Sequence, residues 1–257
     1  MDIVYVDGRK RCATAQFKMK TIGVIPARLN STRLPRKALT DIHGLPMCVH
    51  VYRRAVMSPA LDDVIIATDN QGIYNTVHRY GAKCFMTRDT HPTPTERVAE
   101  IAETVEADFY VQINGDEPLL DPAHIKTSVN SLIQAQADAS VLARPFDKRN
   151  SPADFKLVLN KNNDVMYVTR SDIPHKGEML KAYHIMSFTR RTLQRFTAMR
   201  PTAMEQREGH ELLRLLENGL TVTASVVDSD SISVDVPEDL EYVRKQMLTD
   251  PTWSKYK

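Results

Sequence analysis

Short apolar runs alternate with amphipathic stretches along the first half of the chain. The runs predict strands and the amphipathic stretches predict helices. Strands are predicted at 21–26, 63–68, 82–87 and 109–113, and helices at 47–56, 71–80, 95–106 and 122–135. Strands joined by crossover helices favour an α/β fold with a mainly parallel sheet covered on both faces. Ligands of such sheets bind beyond the carboxyl ends of the strands, which locates the expected site.

The second half of the chain has a less regular pattern. Strands, open to antiparallel pairing, are predicted at 139–144, 155–159, 165–169, 183–188 and 221–227, and helices at 191–198, 204–217 and 237–247. No stretch of linker composition separates the two halves. We therefore expect a single domain over 21–250, with an inserted lobe at about 165–215 and an N-terminal extension over 1–20.

Composition narrows the functional classes. The 257 residues, 42% hydrophobic and 26% charged, suit a globular protein with one core. The net charge of +2 gives no strongly basic face for nucleic acid. Cys12, Cys48 and Cys84 show neither zinc-site spacing nor a disulfide framework. No apolar run approaches the roughly 18 residues of a membrane span. We expect a cytoplasmic protein that binds neither nucleic acid nor membrane.

The segment 25–37 follows the first predicted strand and carries a cluster of cations. These are Arg28, Arg33, Arg36 and Lys37. A triphosphate requires several positive charges and free backbone N–H groups held close together. Pro26 and Pro35 stiffen the segment. The spacing alone leaves a nucleotide-binding loop and an exposed basic loop equally open, because the glycine-rich phosphate signature is absent.

Two acidic segments come from distant parts of the chain. Gly115 permits a tight turn after the strand at 109–113, so Asp116 is expected at the carboxyl edge of the sheet. Asp235 comes just before a helix whose first position is Pro237. Two such carboxylates can share one Mg²⁺, with phosphate oxygens and water completing its coordination. For each aspartate alone, turn formation or helix capping is the competing interpretation.

Taken together, these three segments resemble the CMP-sugar-acid synthetases, most closely the 3-deoxy-manno-octulosonate (Kdo) cytidylyltransferases. Besides the loop, the matching motifs lie at 42–47, 50–51, 67–69, 115–118, 170–174, 184–185 and 237–240. The resemblance implies a three-layer α/β/α sandwich of the nucleotide-diphosphosugar transferase type, with a small dimerising lobe. It also implies a homodimer with a Mg²⁺ cofactor, which transfers CMP from CTP to an acidic sugar and releases pyrophosphate.

The resemblance further implies roles for individual residues. Catalysis is assigned to Arg28, Lys37, Asp116 and Asp235, with Mg²⁺ held by Asp116 and Asp235. The implied nucleotide-binding residues are Ala27, Arg28, Ser31, Arg33, Lys37, Thr95, Arg97 and Asp116. The implied acceptor-binding residues are Asn114, Arg170, His184 and Glu211.

The acceptor half of the expected site departs from the family pattern. Asn114 and Leu212 stand where the family has Gln, Met186 where it has Gly, and Phe188 where it has Tyr. Lost hydroxyl and amide groups leave acceptor hydroxyls unpaired, at about 1–3 kcal/mol per buried partner. Because Arg170 and His184 are retained, the acceptor is expected to be acidic. Kdo, a related ulosonic acid, a phosphonate and a sugar phosphate stay open as acceptors, and a catalytically silent nucleotide-binding protein is a further alternative.

The nucleotide half of the expected site departs less from the family pattern than the acceptor half does. Arg36 and Pro94 stand where the family usually has Gly. Val236 replaces a Thr expected to cap the last helix, which lowers local stability by about 1 kcal/mol.

We expect residues 1–18 to be dispensable, because Met19 directly precedes the first strong strand. A chain that begins at Met19 is predicted to retain its nucleotidyl-transfer activity, measured as pyrophosphate release. Loss of that release on truncation would contradict the prediction.

Overall fold

The computed structural model describes residues 3–6, 9–12, 19–29, 34–229 and 232–257. For 3–6, 9–12 and His184 it describes the backbone. Ser31 and Arg33, both expected to bind nucleotide, lie outside the described residues.

The strands are numbered in chain order. They are β1 (Ile3–Val6), β2 (Arg9–Cys12), β3 (Thr21–Ala27), β4 (Asp41–Ile42), β5 (Leu45–Pro46), β6 (Asp63–Thr68), β7 (Cys84–Met86), β8 (Phe109–Ile113), β9 (Ala139–Phe146), β10 (Lys156–Leu159), β11 (Val165–Thr169), β12 (Met179–Thr189) and β13 (Val222–Val226).

The helices follow the same numbering. They are α1 (Met47–Val56), α2 (Gln71–Arg79), α3 (Pro94–Thr104), α4 (Pro122–Ala135), α5 (Arg190–Ala198), α6 (Ala203–Glu208), α7 (Leu212–Glu217) and α8 (Pro237–Met247), with short 3₁₀ turns at Lys37–Leu39 and Trp253–Lys255. Among the described residues, no helix combines the length and apolar character needed to cross a bilayer.

A nine-stranded sheet forms the centre of the described structure. Its main path runs β11-β10-β12-β8-β3-β6-β7, with β9 joined to β12 and β13 joined to β9. The neighbours β8, β3, β6 and β7 are parallel, whereas β12 pairs antiparallel with β8, β9 and β10. The predicted mainly parallel α/β sheet is thus confirmed, with antiparallel pairing in the second half. Because β12 belongs to this sheet, the lobe expected at about 165–215 includes sheet residues, and its separate character stays a prediction.

Helix ends coincide with local capping signals. Asn70 accepts hydrogen bonds from the first turn of α2, and Thr93 and Glu96 form a reciprocal capping box at α3. The helix predicted over 204–217 is wrong as one unit, because the chain breaks it into α6 and α7. Gly209 adopts a left-handed φ of 75° at the end of α6, a conformation that terminates a helix and that glycine adopts without strain.

The two faces of the sheet pack against different helices. On β3, Ile22 and Val24 belong to a core shared with α3, α5 and α7, whereas Ile25 belongs to a core shared with α1, α2 and α4. This alternation follows from the two-residue period of a strand. It makes a three-layer sandwich, as expected. On β8 the same period directs Gln112 to the α3 face, since Val111 and Ile113 pack on the other.

A third, smaller hydrophobic cluster lies apart from the two main cores. Its buried members, which we call the small core, are Ile42, Met47, Val234, Leu240, Val243 and Met247. Leu34, Leu119, Ile232 and Trp253 pack against it. The small core therefore joins the segment after β3, the segment after β8 and the helix α8.

His50 is a buried titratable group that couples folding to pH. Its Nε2 lies 2.8 Å from the carbonyl oxygen of Ile42, and its Nδ1 lies 2.9 Å from the hydroxyl of Tyr256. A carbonyl can only accept, so Nε2 carries the proton and Nδ1 accepts from Tyr256. Burial lowers the pKa of His50 to about 4.

We predict that His50 makes the protein less stable in mild acid. Between its unfolded pKa of about 6.5 and its folded pKa of about 4 the unfolded chain binds a proton that the folded chain does not. The unfolding free energy should fall as pH falls through this window, by about 3 kcal/mol in total. Urea unfolding from pH 7.5 to 4 measures it.

The variant His50→Gln should flatten this part of the profile. The matched control, His78→Gln at an exposed position of α2, should keep the wild-type profile. A profile for His50→Gln that keeps the full wild-type slope would contradict the assignment.

Candidate active site

The carboxyl ends of β3, β6 and β8 lie side by side because these strands are parallel neighbours. Arg28 follows β3, Asp69 follows β6, and Asn114 and Asp116 follow β8. These polar side chains therefore share one edge of the sheet, where ligands of α/β folds bind.

Lys37 connects two acids that are remote in sequence. Its Nζ lies 2.6 Å from Oδ2 of Asp116 and 3.0 Å from Oδ1 of Asp235. The three side chains are 17%, 23% and 34% exposed, so they are partly screened from water and still reachable by a ligand. The structure thus brings Lys37, Asp116 and Asp235 together, as the cation and phosphate site predicted from the sequence requires.

The backbone holds this cluster in place. The amide of Val234 donates to the carbonyl oxygen of Asp116 at 2.9 Å, which fixes the two acidic segments against each other. Asp239, in the first turn of α8, accepts from the amides of Asp235 at 2.8 Å and Val236 at 3.0 Å. The Asp239 carboxylate therefore caps this helix from the third position, where Val236 has no hydroxyl to offer.

Gly115 permits the close approach of the β8 loop to β3. A Cβ atom added at this position would lie 3.1 Å from the carbonyl oxygen of Pro26 and 3.3 Å from Cγ2 of Ile25. Both distances are shorter than ordinary van der Waals contact, and one neighbour is backbone that cannot rotate away. A larger residue here would force the backbone of the β8 loop or of β3 to shift by a few tenths of an ångström, next to the residue that contacts Lys37.

Electrostatics favour a charged cluster at Asp116. Burial opposes the ammonium of Lys37, but the charges and hydrogen bonds of Asp116 and Asp235 outweigh it and raise the pKa of Lys37. Lys37 is therefore protonated at neutral pH and neutralises part of the negative charge of the two acids.

Arg28 is a half-buried cation near the same edge. Its Nη2 donates to the carbonyl oxygen of His91 at 2.6 Å. Burial and then the positive charge of Arg97 lower the pKa of Arg28, and Asp69, Glu96 and Glu211 only partly offset this. A cation in such surroundings gains from a bound anion such as a phosphate.

The acids present fit a hard divalent cation. Within the described part of the chain, Oδ1 of Asp116 is buried and has no hydrogen-bond partner. Carboxylate oxygens are the ligands that Mg²⁺ prefers, and one or two of them usually suffice when substrate phosphates supply the rest. Over the described residues, no group of three or more His, Cys, Asp or Glu side chains is arranged around a metal position. Asp116 and Asp235 are thus a set suited to a metal shared with a nucleotide.

A second, buried hydrogen-bonded group lies on the α3 face of the sheet. The hydroxyl of Thr95 lies 2.9 Å from Oε1 of Gln112 and 2.9 Å from Oε1 of Glu211. A hydroxyl donates one proton, so Thr95 donates to the carboxylate and accepts from the Gln112 amide turned to present its NH₂ group. This orients the Glu211 carboxylate at the start of α7.

Arg97 makes buried contacts near the carboxyl end of β6. Its side chain is fully buried, donates to Asp69 at 2.7 Å and contacts the hydroxyl of Thr87. Thr95 and Arg97, both expected to bind nucleotide, therefore lie in buried internal contacts, and Ala27, also expected to bind nucleotide, is buried at the end of β3. Their nucleotide contacts stay predictions.

Comparison with known proteins identifies the family to which the chain belongs. The profile described as cytidylyltransferase matches residues 22–226. The chain belongs to the cytidylyltransferase family. The 3-deoxy-manno-octulosonate cytidylyltransferase of Koribacter versatilis is 37% identical over 235 residues, covering 88% of this chain and 90% of the relative. That of Escherichia coli is 36% identical over 240 residues, covering 89% and 96%. The family inferred from the sequence motifs is confirmed, and the chain is a nucleotidyltransferase that uses CTP.

Solved structures show the same architecture for this cytidylyltransferase. The structure of CMP:2-keto-3-deoxy-manno-octonic acid synthetase complexed with CTP matches with a TM-score of 0.86 and 34% identity, covering 90% of this chain and 99% of the other. A cytidylyltransferase of Leptospira borgpetersenii matches with a TM-score of 0.63 at 18% identity, covering 90% and 87%, which shows a shared fold. The predicted three-layer nucleotidyltransferase fold is thus confirmed.

Arg170, one of the expected acceptor residues, is held by the segment 152–155. Arg170 donates to the carbonyl oxygens of Pro152 at 2.8 Å and Ala153 at 3.3 Å, and its guanidinium lies 4.0 Å from the ring centroid of Phe155. No contact among the described side chains joins Arg170 to Asn114 or Glu211. The side chain of His184 lies outside what the structure describes. A common acceptor site for these residues stays a prediction.

One expectation about the acceptor pocket is corrected. Met186, Phe188 and Leu212 are 2%, 1% and 0% exposed, respectively, and all pack in the main core under α3, α5 and α7. They fill the interior rather than line an open polar pocket. Their apolar character is therefore explained by packing, and any effect on the acceptor acts through the position of β12 and α7.

Sequence reasoning missed Arg214. This buried arginine pairs with both oxygens of Glu205 at 2.8 and 2.6 Å and donates to Glu96 at 3.0 Å. It thereby ties α7, which follows Glu211, to the first turn of α3, which carries Thr95. The available signal was a charge inside the leucine run 212–216, although its partners on α3 and α6 cannot be read from local sequence.

We predict that Gly115→Ala damages activity more than stability. The added methyl group must push the β8 loop from β3, which shifts Asp116 away from Lys37. The unfolding free energy should fall by about 1–3 kcal/mol, and turnover at 25 °C should fall at least about tenfold because catalytic geometry tolerates little displacement. Urea unfolding and pyrophosphate release measure the two effects. Unchanged turnover would show that the close approach has no bearing on the site.

Proposed function

We propose that this cytidylyltransferase transfers CMP from CTP to Kdo and releases pyrophosphate. The observation that carries the proposal is the Lys37 ammonium between the carboxylates of Asp116 and Asp235 at the carboxyl edge of the sheet. Relatives covering nearly the whole chain are named for Kdo as the acceptor, which supports Kdo here.

The reaction joins an acceptor hydroxyl to the α-phosphorus of CTP. The hydroxyl oxygen attacks in line, the bond from the α-phosphorus to the bridging oxygen breaks, and pyrophosphate leaves. Such reactions depend chiefly on positioning and on neutralisation of phosphate charge. Arg28 and Lys37 are the cations placed to bind the triphosphate, and the pKa of Arg28, lowered by burial, is consistent with a position that gains from an anion.

A Mg²⁺ ion is proposed as cofactor, held by Asp116 and Asp235. When bound, it supplies neutralisation of phosphate charge and polarisation of phosphate oxygens. The two carboxylates would then no longer depend on Lys37 for their counter-charge, and the ammonium would be available to a phosphate oxygen.

The remaining binding roles are proposed on the resemblance. Ala27, Ser31 and Arg33 are assigned to the nucleotide, with Thr95 and Arg97 near its base and ribose. Asn114, Arg170, His184 and Glu211 are assigned to the acceptor, whose carboxylate suits the guanidinium of Arg170. We also propose a homodimer located in the cytoplasm.

A substrate panel tests the proposal. Purified protein with Mg²⁺ is assayed for pyrophosphate release with CTP, UTP, dTTP or ATP, each with Kdo, N-acetylneuraminate, a phosphonate or glucose 1-phosphate. Release with CTP and Kdo well above all other pairs supports the proposal. Release with another acceptor moves the assignment to that acceptor, and CTP binding without release across the panel contradicts an active enzyme.

We predict that Asp116→Asn and Asp235→Asn each lower turnover at least about 100-fold, since each removes one of the two carboxylate charges proposed to hold Mg²⁺ beside the phosphates. Asn keeps the shape of Asp, so circular dichroism should show a folded chain. Pyrophosphate release at saturating CTP measures the effect.

The control is Asp63→Asn, which breaks an exposed ion pair with Lys83 at the start of β6 and should leave turnover near wild type. Near-normal turnover of both site variants would remove the metal assignment.

A further inference from the structure

The segment 248–257, which we call the tail, follows α8 and folds back onto the start of α1. Within it, Trp253 packs against the small core, and its ring centroid lies 5.2 Å from that of His43 in the turn between β4 and β5. Tyr256 directs its hydroxyl to His50 and Arg54 of α1. The tail therefore contacts both α1 and the β4–β5 turn, which follows Lys37 in the chain.

The hydrogen bonds at Tyr256 form a chain with a defined direction. Arg54 donates from Nε to the Tyr256 oxygen at 3.1 Å, and Tyr256 donates to Nδ1 of His50 at 2.9 Å. His50 in turn donates from Nε2 to the carbonyl oxygen of Ile42 at 2.8 Å. Ile42 lies just after the 3₁₀ turn that starts at Lys37. The tail hydroxyl is thus linked through one imidazole to the backbone of the Lys37 segment.

Arg54 links the tail to the segment that carries Asp116. It is 2% exposed, pairs with Asp250 of the tail and donates from Nη1 to the carbonyl oxygen of Leu120 at 3.1 Å. Leu120 ends the loop in which Asp116 lies, and its amide donates to Glu117. An arginine buried this completely needs its partners, since an unpaired buried charge is strongly destabilising.

The third site segment meets the tail through the small core. Val234, adjacent to Asp235, is fully buried there beside Met47 and Ile42. In addition, His43 contacts the carbonyl oxygen of Arg244 at 2.7 Å, and Arg244 donates to the carbonyl oxygen of Asp41 at 2.7 Å. The segments that carry Lys37, Asp116 and Asp235 therefore converge on one cluster covered by the tail.

We propose that the tail is a clamp that positions Lys37, Asp116 and Asp235 relative to one another, with Tyr256 and Trp253 as positioning residues for the nucleotide half of the site. The proposal rests on the proposed function for its kinetic readout. The acceptor residues Arg170 and Glu211 lie on β11–β12 and α7 segments, and their described contacts involve other parts of the chain. Asn114 alone of the proposed acceptor residues lies in the Asp116 loop, so loss of the clamp should affect CTP much more than the acceptor.

Tyr256→Phe tests the clamp by removing one hydroxyl. The matched control is Tyr110→Phe, which removes a hydroxyl bonded to Val105 and Ala107 at the start of β8, the end remote from the site. With Kdo as acceptor, Tyr256→Phe should lower kcat/KM for CTP about tenfold, because small displacements of catalytic groups have large effects. The KM for Kdo should stay within about twofold, and Tyr110→Phe should leave both values near wild type.

Amide hydrogen exchange provides a readout that does not depend on turnover. Exchange in 34–46 and 116–121 should quicken in Tyr256→Phe and in Trp253→Ala, and stay at the wild-type rate in Tyr110→Phe. Unchanged exchange there together with unchanged kcat/KM for CTP would overturn the clamp, as would an equal rise in the KM for Kdo. If the wild-type enzyme shows no CTP-dependent release, the proposed function fails, and exchange alone then decides the clamp.

Discussion

Two carboxylates held close together repel each other unless a cation lies between them, and this constraint organises the site. Lys37 supplies that cation, 2.6 Å from Asp116 and 3.0 Å from Asp235. Burial alone would lower the pKa of Lys37, yet the two acids raise it, so the charges of the three groups depend on one another. The same arrangement concentrates negative charge where a divalent ion and a nucleotide would meet, with Arg28 as a further cation nearby.

The rest of the structure brings these three charges together. Parallel pairing of β3 with β8 places Asp116 at the sheet edge, and Gly115 lets its loop approach Pro26. The small core joins the loops to α8, so Asp235 reaches the same place. Charged groups buried beneath the site are paired, as Arg97 is with Asp69 and Arg214 with Glu205, which removes the penalty of burying them alone. Buried ion pairs thus support both the sheet edge at Asp69 and the contact of α7 with α3.

Much of the fold was readable from local pattern. The bounds of α1, α4 and α8 agree with the predicted ranges, because an apolar stripe, a Pro at the start or a capping residue defines each of them. The helix predicted over 204–217 failed because Gly209 adopts a left-handed conformation inside an otherwise periodic stretch. The acceptor departures at Met186 and Phe188 were misread as pocket positions, since an apolar residue on a strand looks alike whether it faces a ligand or the core.

By itself the sequence determined which elements form and which chemical groups follow the strands, because both depend on periods of two and 3.6 residues and on neighbouring side chains. Its motifs also determined the family. Tertiary structure decided which of those groups meet: that Lys37 lies between two acids, that Thr95 and Arg97 are held in internal contacts, and that Tyr256 reaches His50. Such pairings join residues far apart in the chain, and they follow from how strands and helices pack in three dimensions, which no local spacing records.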